Sequence, residues 1–179
     1  MRKNLISIFI LIILFSCKEK SKQDLVKSQM TLTAERDSIK ERFFPKNKID
    51  YQKDTLIENL DLKISVTEKS LNTYVIDTFT SEGVKYIDKY RDTEFLLLIQ
   101  KGKLKILDTS FKKDNFIDLA GKELIEYGNF TTYQLNNISE SEIEFFGVIN
   151  EPETDWSFPF YHKYDLKKNE FEIKEIDQN

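Results

Sequence analysis

The chain has 179 residues, with 27 Lys and Arg against 31 Asp and Glu and a net charge of −4 at pH 7. This mildly acidic balance excludes a protein built to grip nucleic acid or an anionic membrane face by charge, since both demand a basic footprint. The lone cysteine excludes a disulfide framework, and the about 130 residues beyond the N-terminal region suffice for one burial-driven core and fall short of two domains.

Arg2 and Lys3 precede an apolar run from Leu5 to Phe15, and Ser16 then stands before Cys17. A charged start, a short apolar core and a small residue before the cut form a secretory signal over residues 1–16. At about 1.5 Å per residue the run covers about half of a hydrocarbon core roughly 30 Å thick, which is short for a stable span. An ordinary cleaved signal and an uncleaved membrane helix are the alternatives to the reading that follows.

Leu14-Phe15-Ser16-Cys17 resembles the bacterial lipobox, with an aliphatic residue three before the cysteine and a small one just before it. The resemblance implies cleavage before Cys17, a diacylglycerol on its thiol and acylation of the new amino group, so that acyl chains hold the protein on a membrane. Loss of residues 1–16 removes Arg2 and Lys3 and no acid, which moves the net charge from −4 to −6. Lys18 after the cysteine, and the mixed run Lys18 to Lys22, imply by the same resemblance an outer-membrane lipoprotein facing the periplasm.

Residues 17–50 read as a lipidated tether. Lys18-Glu19-Lys20-Ser21-Lys22 is solvated spacer, and the helix formers from Thr31 to Phe44 predict a marginal helix ended before Pro45. Leu25, Leu32 and Ile39 recur once per heptad, too thin a seam for a coiled coil.

Residues 51–179 read as a single β-rich domain. Leu60, Leu62, Ile64 and Val66 alternate with polar residues, the period of a half-buried strand. Strands are predicted at 73–79 and 84–90 around a turn at Thr80-Ser81-Glu82-Gly83, and at 95–99 and 104–107 around Lys101-Gly102-Lys103. The apolar run Phe95 to Ile99 predicts a central strand buried on both faces. Between 109 and 128 near-helical spacing predicts a helical insert, one helix or two short turns divided at Gly121, with Gly128 as the stop. Strands at 130–138, 142–150, 156–164 and 169–176 complete the set. The fold class is mainly β: an antiparallel β-sandwich or strongly curled sheet of about eight strands with one short helical insert.

Candidate chemistry is sparse. His162 is the only histidine, stands between tyrosines, lacks a nucleophile or a second zinc ligand, and reads as structural. Glu140, Glu142 and Glu144 share one strand face and read as solvated. Glu151, Glu153 and Asp155 flank Pro152 without the spaced ligands and central glycine of a calcium loop, so neither a metal nor a cofactor is implied. Trp156, Phe158, Phe160, His162 and Tyr164 fall on one face of one strand, either a core wall or an exposed binding platform. Pro159 cannot donate to a ladder and predicts a sheet edge or a break there.

Tyr90-Arg91-Asp92-Thr93-Glu94-Phe95 with Lys101-Gly102-Lys103, Phe111-Lys112-Lys113-Asp114-Asn115-Phe116 and Pro152-Glu153-Thr154-Asp155-Trp156 resemble segments of a Bacteroidota lipoprotein family catalogued only as a domain of unknown function. That likeness spans roughly residues 55–175 and implies an envelope location and a β-rich body; the family carries no assigned activity, so the likeness contributes no site. Asp37-Ser38-Ile39 and Asp54-Thr55-Leu56 resemble the short acceptor of general O-glycosylation in Bacteroidota, which implies glycans on Ser38 and Thr55. Two function classes follow: a non-enzymatic envelope module that binds a protein or glycan partner, or a hydrolase of envelope glycans using Glu151, Glu153 or Asp155 as its acid and base.

Overall fold

The structure, a computed structural model, describes residues 38–176. The signal, Cys17 and the tether up to residue 37 lie outside the described residues.

Alternating apolar residues build nine strands among the described residues: β1 (Ser38–Phe44), β2 (Asp50–Ile57), β3 (Leu62–Ser81), β4 (Val84–Lys101), β5 (Leu104–Phe111), β6 (Asn129–Ile138), β7 (Glu142–Asn150), β8 (Ser157–Asp165) and β9 (Glu170–Glu175). They form a five-stranded sheet, in which β4 pairs with β1, β3 and β5 and β3 pairs with β2, and a four-stranded sheet in the order β6-β7-β8-β9. Inward residues of both sheets meet in one core, with Ile64, Phe95, Leu97 and Ile99 from the first and Phe130, Phe145, Ile149 and Phe160 from the second. This is the sandwich arrangement that the period-two pattern demands. β7 and β8 show the cause plainly, since every second residue in each is buried. Phe160 lies opposite Gly147, and a Cβ on that glycine would fall 2.3 Å from its ring, so the ring rests on bare backbone.

The helical insert is a 3-10 turn (Lys113–Phe116) followed by two short helices, α1 (Ile117–Ala120) and α2 (Lys122–Tyr127), divided at Gly121 with φ of 82°. It packs Phe116, Leu124 and Ile125 into the core.

The largest departure from expectation is the length of the hairpin. The strands expected at 60–66 and 73–79 are one strand, as are those at 84–90 and 95–99, because β3 and β4 stay paired from Leu62↔Lys101 to Ser81↔Val84. The turn is Glu82-Gly83, with φ of 51° and 74°, the left-handed pair that a two-residue hairpin requires. A bulge between Ser70 and Tyr74 divides the ribbon into an inner half under the second sheet and an outer half.

The helix expected up to Phe44 is, in its described part, strand β1, so residues 38–44 are paired into the β-rich body that was expected from residue 51. Arg42 meets Asp88 and Pro45 meets Arg91 at the same offset of 46, so β1 runs parallel to β4. Cross-strand pairing outweighs the helix propensity of this short segment. The chain then crosses from the β4 edge to the β3 edge through residues 45–49, held at the bulge by reciprocal bonds between Ile49 and Ser70 and by Lys48 to Asn72. β2 follows, a strand the sequence reading did not separate.

Two further expectations are corrected. Phe95 to Ile99 is central, but Leu96 is 36% exposed, so only one face of it is buried. Pro159 sits in β8, an inner strand. Its carbonyl accepts from the amide of Ile176 on the β9 side, and the β8–β9 register begins only at Phe160↔Glu175. The missing donor thus faces the place where the ladder stops.

Candidate functional site

The site arises where the two sheets fail to close on each other. β2 is an edge strand, and its Tyr51, Lys53 and Thr55 pair in register with Glu68, Val66 and Ile64 of β3. Residues opposite each other in an antiparallel pair share a face, so these side chains continue the inner surface of the sheet. β6 is the edge of the other sheet and, among the described residues, pairs only with β7. Between the two edges lies a cavity of about 260 Å³, lined by Tyr51, Thr55, Val66, Glu68, Phe95 and the consecutive residues 131–135 of β6. Lining by consecutive residues means that the unpaired backbone edge of β6 faces the cavity.

A second cavity of about 340 Å³ shares Glu68 and Thr131 with the first and runs under the 45–49 crossover, walled by Phe44, Pro45, Ile49, Tyr90, Asn129 and Pro152. Together they form one groove of the size that ligand sites occupy.

Glu68 stands at the junction. It lies opposite Phe95 on the inner side of β3 and is half-buried. Among the described residues no hydrogen bond or ion pair reaches its carboxylate, and burial pushes the carboxyl above its ordinary range. Asn129, 4% exposed, spends its Nδ2 on the carbonyls of Tyr90 and Arg91 at 3.3 and 3.0 Å and on Asp92 at 3.4 Å. Its Oδ1 is buried and has no hydrogen-bond partner among the described residues. Of the two cations that line the groove, Lys53 is exposed, and Arg91 donates to the Pro45 carbonyl and the Tyr74 hydroxyl and lies 5.1 Å from the Phe43 ring centroid. The Tyr90 hydroxyl donates to Glu153 at 2.8 Å, and burial together with that carboxylate raises it. At its centre the groove therefore offers acceptors and aromatic walls, with an unpaired strand edge along one side.

The residues singled out by sequence fall elsewhere. Phe158, Phe160 and Tyr164 are buried, which makes them core wall and corrects the platform reading for all three. Trp156 precedes β8 and is 41% exposed. His162 is buried, with Nδ1 2.9 Å from the Tyr133 hydroxyl and its ring 4.2 Å from Phe171, and burial lowers its pKa to about 4. Glu142 and Glu144 share Lys163 at 2.8 and 3.3 Å, where solvent was expected, and Glu140 precedes the strand. Glu151 accepts from the Thr154 hydroxyl at 3.1 Å and Glu153 from Tyr90. No cluster of three or more His, Cys, Asp or Glu among the described residues is arranged to hold a metal. Ser38 is exposed at the start of β1, Thr55 is half-buried in the groove, and Cys17 lies outside the described residues.

Glu68 and Asn129 were missed. Glu68 had a signal, because the inward phase Leu62, Ile64, Val66 arrives next at an acid. Asn129 had none, since its burial depends on β4 lying against it.

Residues 30–169 of the chain match the family described as Domain of unknown function (DUF4738). No curated protein matches the chain.

Proposed function

We propose that the chain, which belongs to that family of unknown function, is a lipid-anchored protein of the cell envelope that binds an extended polypeptide without catalysing a reaction. The observation that carries the binding is the unpaired edge of β6 beside a roofed groove. An exposed strand edge is a template for another strand, and a chain added there gains main-chain hydrogen bonds while alternate side chains enter the groove. A partner of this kind fits a chain whose net charge of −4 gives no basic excess for nucleic acid. Of the acid–base candidates Glu151, Glu153 and Asp155, the first two are engaged in contacts within the protein, which supports binding over hydrolysis.

The anchor rests on the sequence: the signal 1–16 and the lipobox ending at Cys17 support acyl chains on that cysteine, in the outer membrane facing the periplasm. Among the described residues no helix is long and apolar enough to cross a membrane. Of the two acceptor-like sites, Ser38 is exposed, and Thr55 is half-buried within a paired strand, so the glycan is proposed at Ser38.

Two experiments test the two halves. Random heptapeptides displayed on phage are selected on the detergent-solubilised chain, and the enriched peptides are measured against Val66→Phe, which fills the groove. About tenfold weaker binding is expected; unchanged binding sinks the groove. For the anchor, alkyne-palmitate labelling and membrane fractionation should mark the wild type and fail for Cys17→Ser. A soluble wild type with a free thiol at Cys17 refutes the lipoprotein.

A further inference from the structure

Resting on the groove reading above, we infer that Glu68 is its specificity determinant: the bound strand presents a basic side chain, lysine or arginine, whose cation lies against Glu68. An ionised carboxylate taken out of water without a partner is costly, and the inward phase of β3 would stabilise the protein better with an apolar residue here. Glu68 instead stands between the two cavities, opposite both Phe95 and Tyr51. No charged group of the described protein compensates it. Arg91 is held by Pro45 and Tyr74, and Lys53, exposed at the mouth, makes no ion pair with it.

The surroundings suit a cation in other ways. Tyr51, Phe95 and Tyr133 line one cavity and Phe44 and Tyr90 the other, and ring faces attract cations most where water is excluded. Asn129 adds a buried acceptor without a donor in the second cavity wall. A strand added to β6 points every second side chain inward. The residues two before and two after the basic one then meet the apolar lining, Ile64, Val66 and Leu135 on one side and Pro45 and Ile49 on the other. The recognised pattern is apolar-x-basic-x-apolar.

The probes are fluorescein-labelled heptapeptides Thr-Val-Thr-X-Thr-Val-Thr with X as Lys, Arg, norleucine or Glu, titrated by anisotropy against the full mature chain in detergent. The Lys and Arg peptides should bind about tenfold tighter than norleucine, with Glu weakest. In Glu68→Gln the Lys preference should fall to roughly threefold or less, while the norleucine peptide stays within about twofold of wild type. Acidifying the wild type until Glu68 is protonated should erase the same preference, which tests the inference without a variant. A Lys preference that survives both treatments overturns it. Equal binding of the Lys and norleucine peptides, abolished by Val66→Phe, overturns it and leaves the groove standing. No peptide binding, or binding indifferent to Val66→Phe, removes the groove and this inference together. Tighter binding of deacetylated chitohexaose than of the Lys peptide makes the ligand a cationic glycan and overturns the polypeptide assignment.

Discussion

In the inner half of the β3–β4 hairpin, Phe95 is 3% exposed and packs edge-on against Phe130 at 4.7 Å. In the outer half of the same hairpin, Phe79 is 40% exposed and stacks on Tyr86 at 5.0 Å, with the Arg42 guanidinium over both rings. The inner rings are held by removal from water, worth about 25 cal/mol per Å². The outer rings are interleaved with cations: Arg91 lies over Phe43 and Tyr74, Lys89 over Phe43 and Lys40 over Tyr86, contacts worth about 0.5–1 kcal/mol each at exposed sites. One pair of strands thus passes from a region stabilised by burial to one stabilised by pairing and charge. The outer half is accordingly the part expected to open first.

The contrast is sharpest at Phe160. Its ring is fully buried against Phe116 and over Gly147, so Phe160→Ala should cost about 3–5 kcal/mol, read as a fall in the denaturant midpoint. A loss below about 1 kcal/mol would show that the core repacks and that the two regions do not differ as described.

His162 ties the core to pH. Its pKa is lowered from 6.5 to about 4 by burial, so between those values the unfolded chain binds a proton that the folded chain refuses, and stability falls as pH drops from 6.5 to 4. The whole shift amounts to about 3 kcal/mol. The double variant His162→Phe with Tyr133→Phe, which leaves no hydroxyl unpaired, should flatten that part of the profile. An unchanged acid limb in denaturation from pH 7 to 4 would show that His162 titrates freely.

Arg42 probes the outer half. Asp88 is 2% exposed and accepts from two Arg42 nitrogens, Nε at 2.6 Å and Nη2. Arg42→Ala leaves that carboxylate buried alone and should lower the denaturant midpoint by less than Phe160→Ala does, a loss partly recovered by adding Asp88→Asn. Hydrogen exchange should show the loss confined to β1 and to residues 74–91; protection lost across the inner core would dissolve the boundary.

The smallest effect is expected at Phe79. Phe79→Ala removes a half-exposed ring and should change stability by less than about 1 kcal/mol, against the several expected at Phe160. Equal losses at the two positions, measured in the same denaturant series, would erase the comparison.

Local rules made much of this legible before any fold was known. The period-two runs Leu62-Ile64-Val66 and Phe158-Phe160-His162-Tyr164 announce strands with one buried face, because side chains alternate across a pleat whatever lies beyond it. The turn within Thr80-Ser81-Glu82-Gly83 and a division of the insert at Gly121 were visible for a like reason, since a glycine's ease of positive φ and its poor helix propensity are both local. The Leu14-Phe15-Ser16-Cys17 motif likewise speaks through its own chemistry. Tertiary contact decided the rest. Residues 38–44 have helix formers enough to be read as helix and become strand only because β4 offers Asp88 and a parallel edge. Pro159 looked like an edge signal and sits inside a sheet because β9 ends beside it. The groove belongs to neither β2 nor β6, and Glu68 becomes a site only where two sheets leave their edges apart, a separation set by long-range packing.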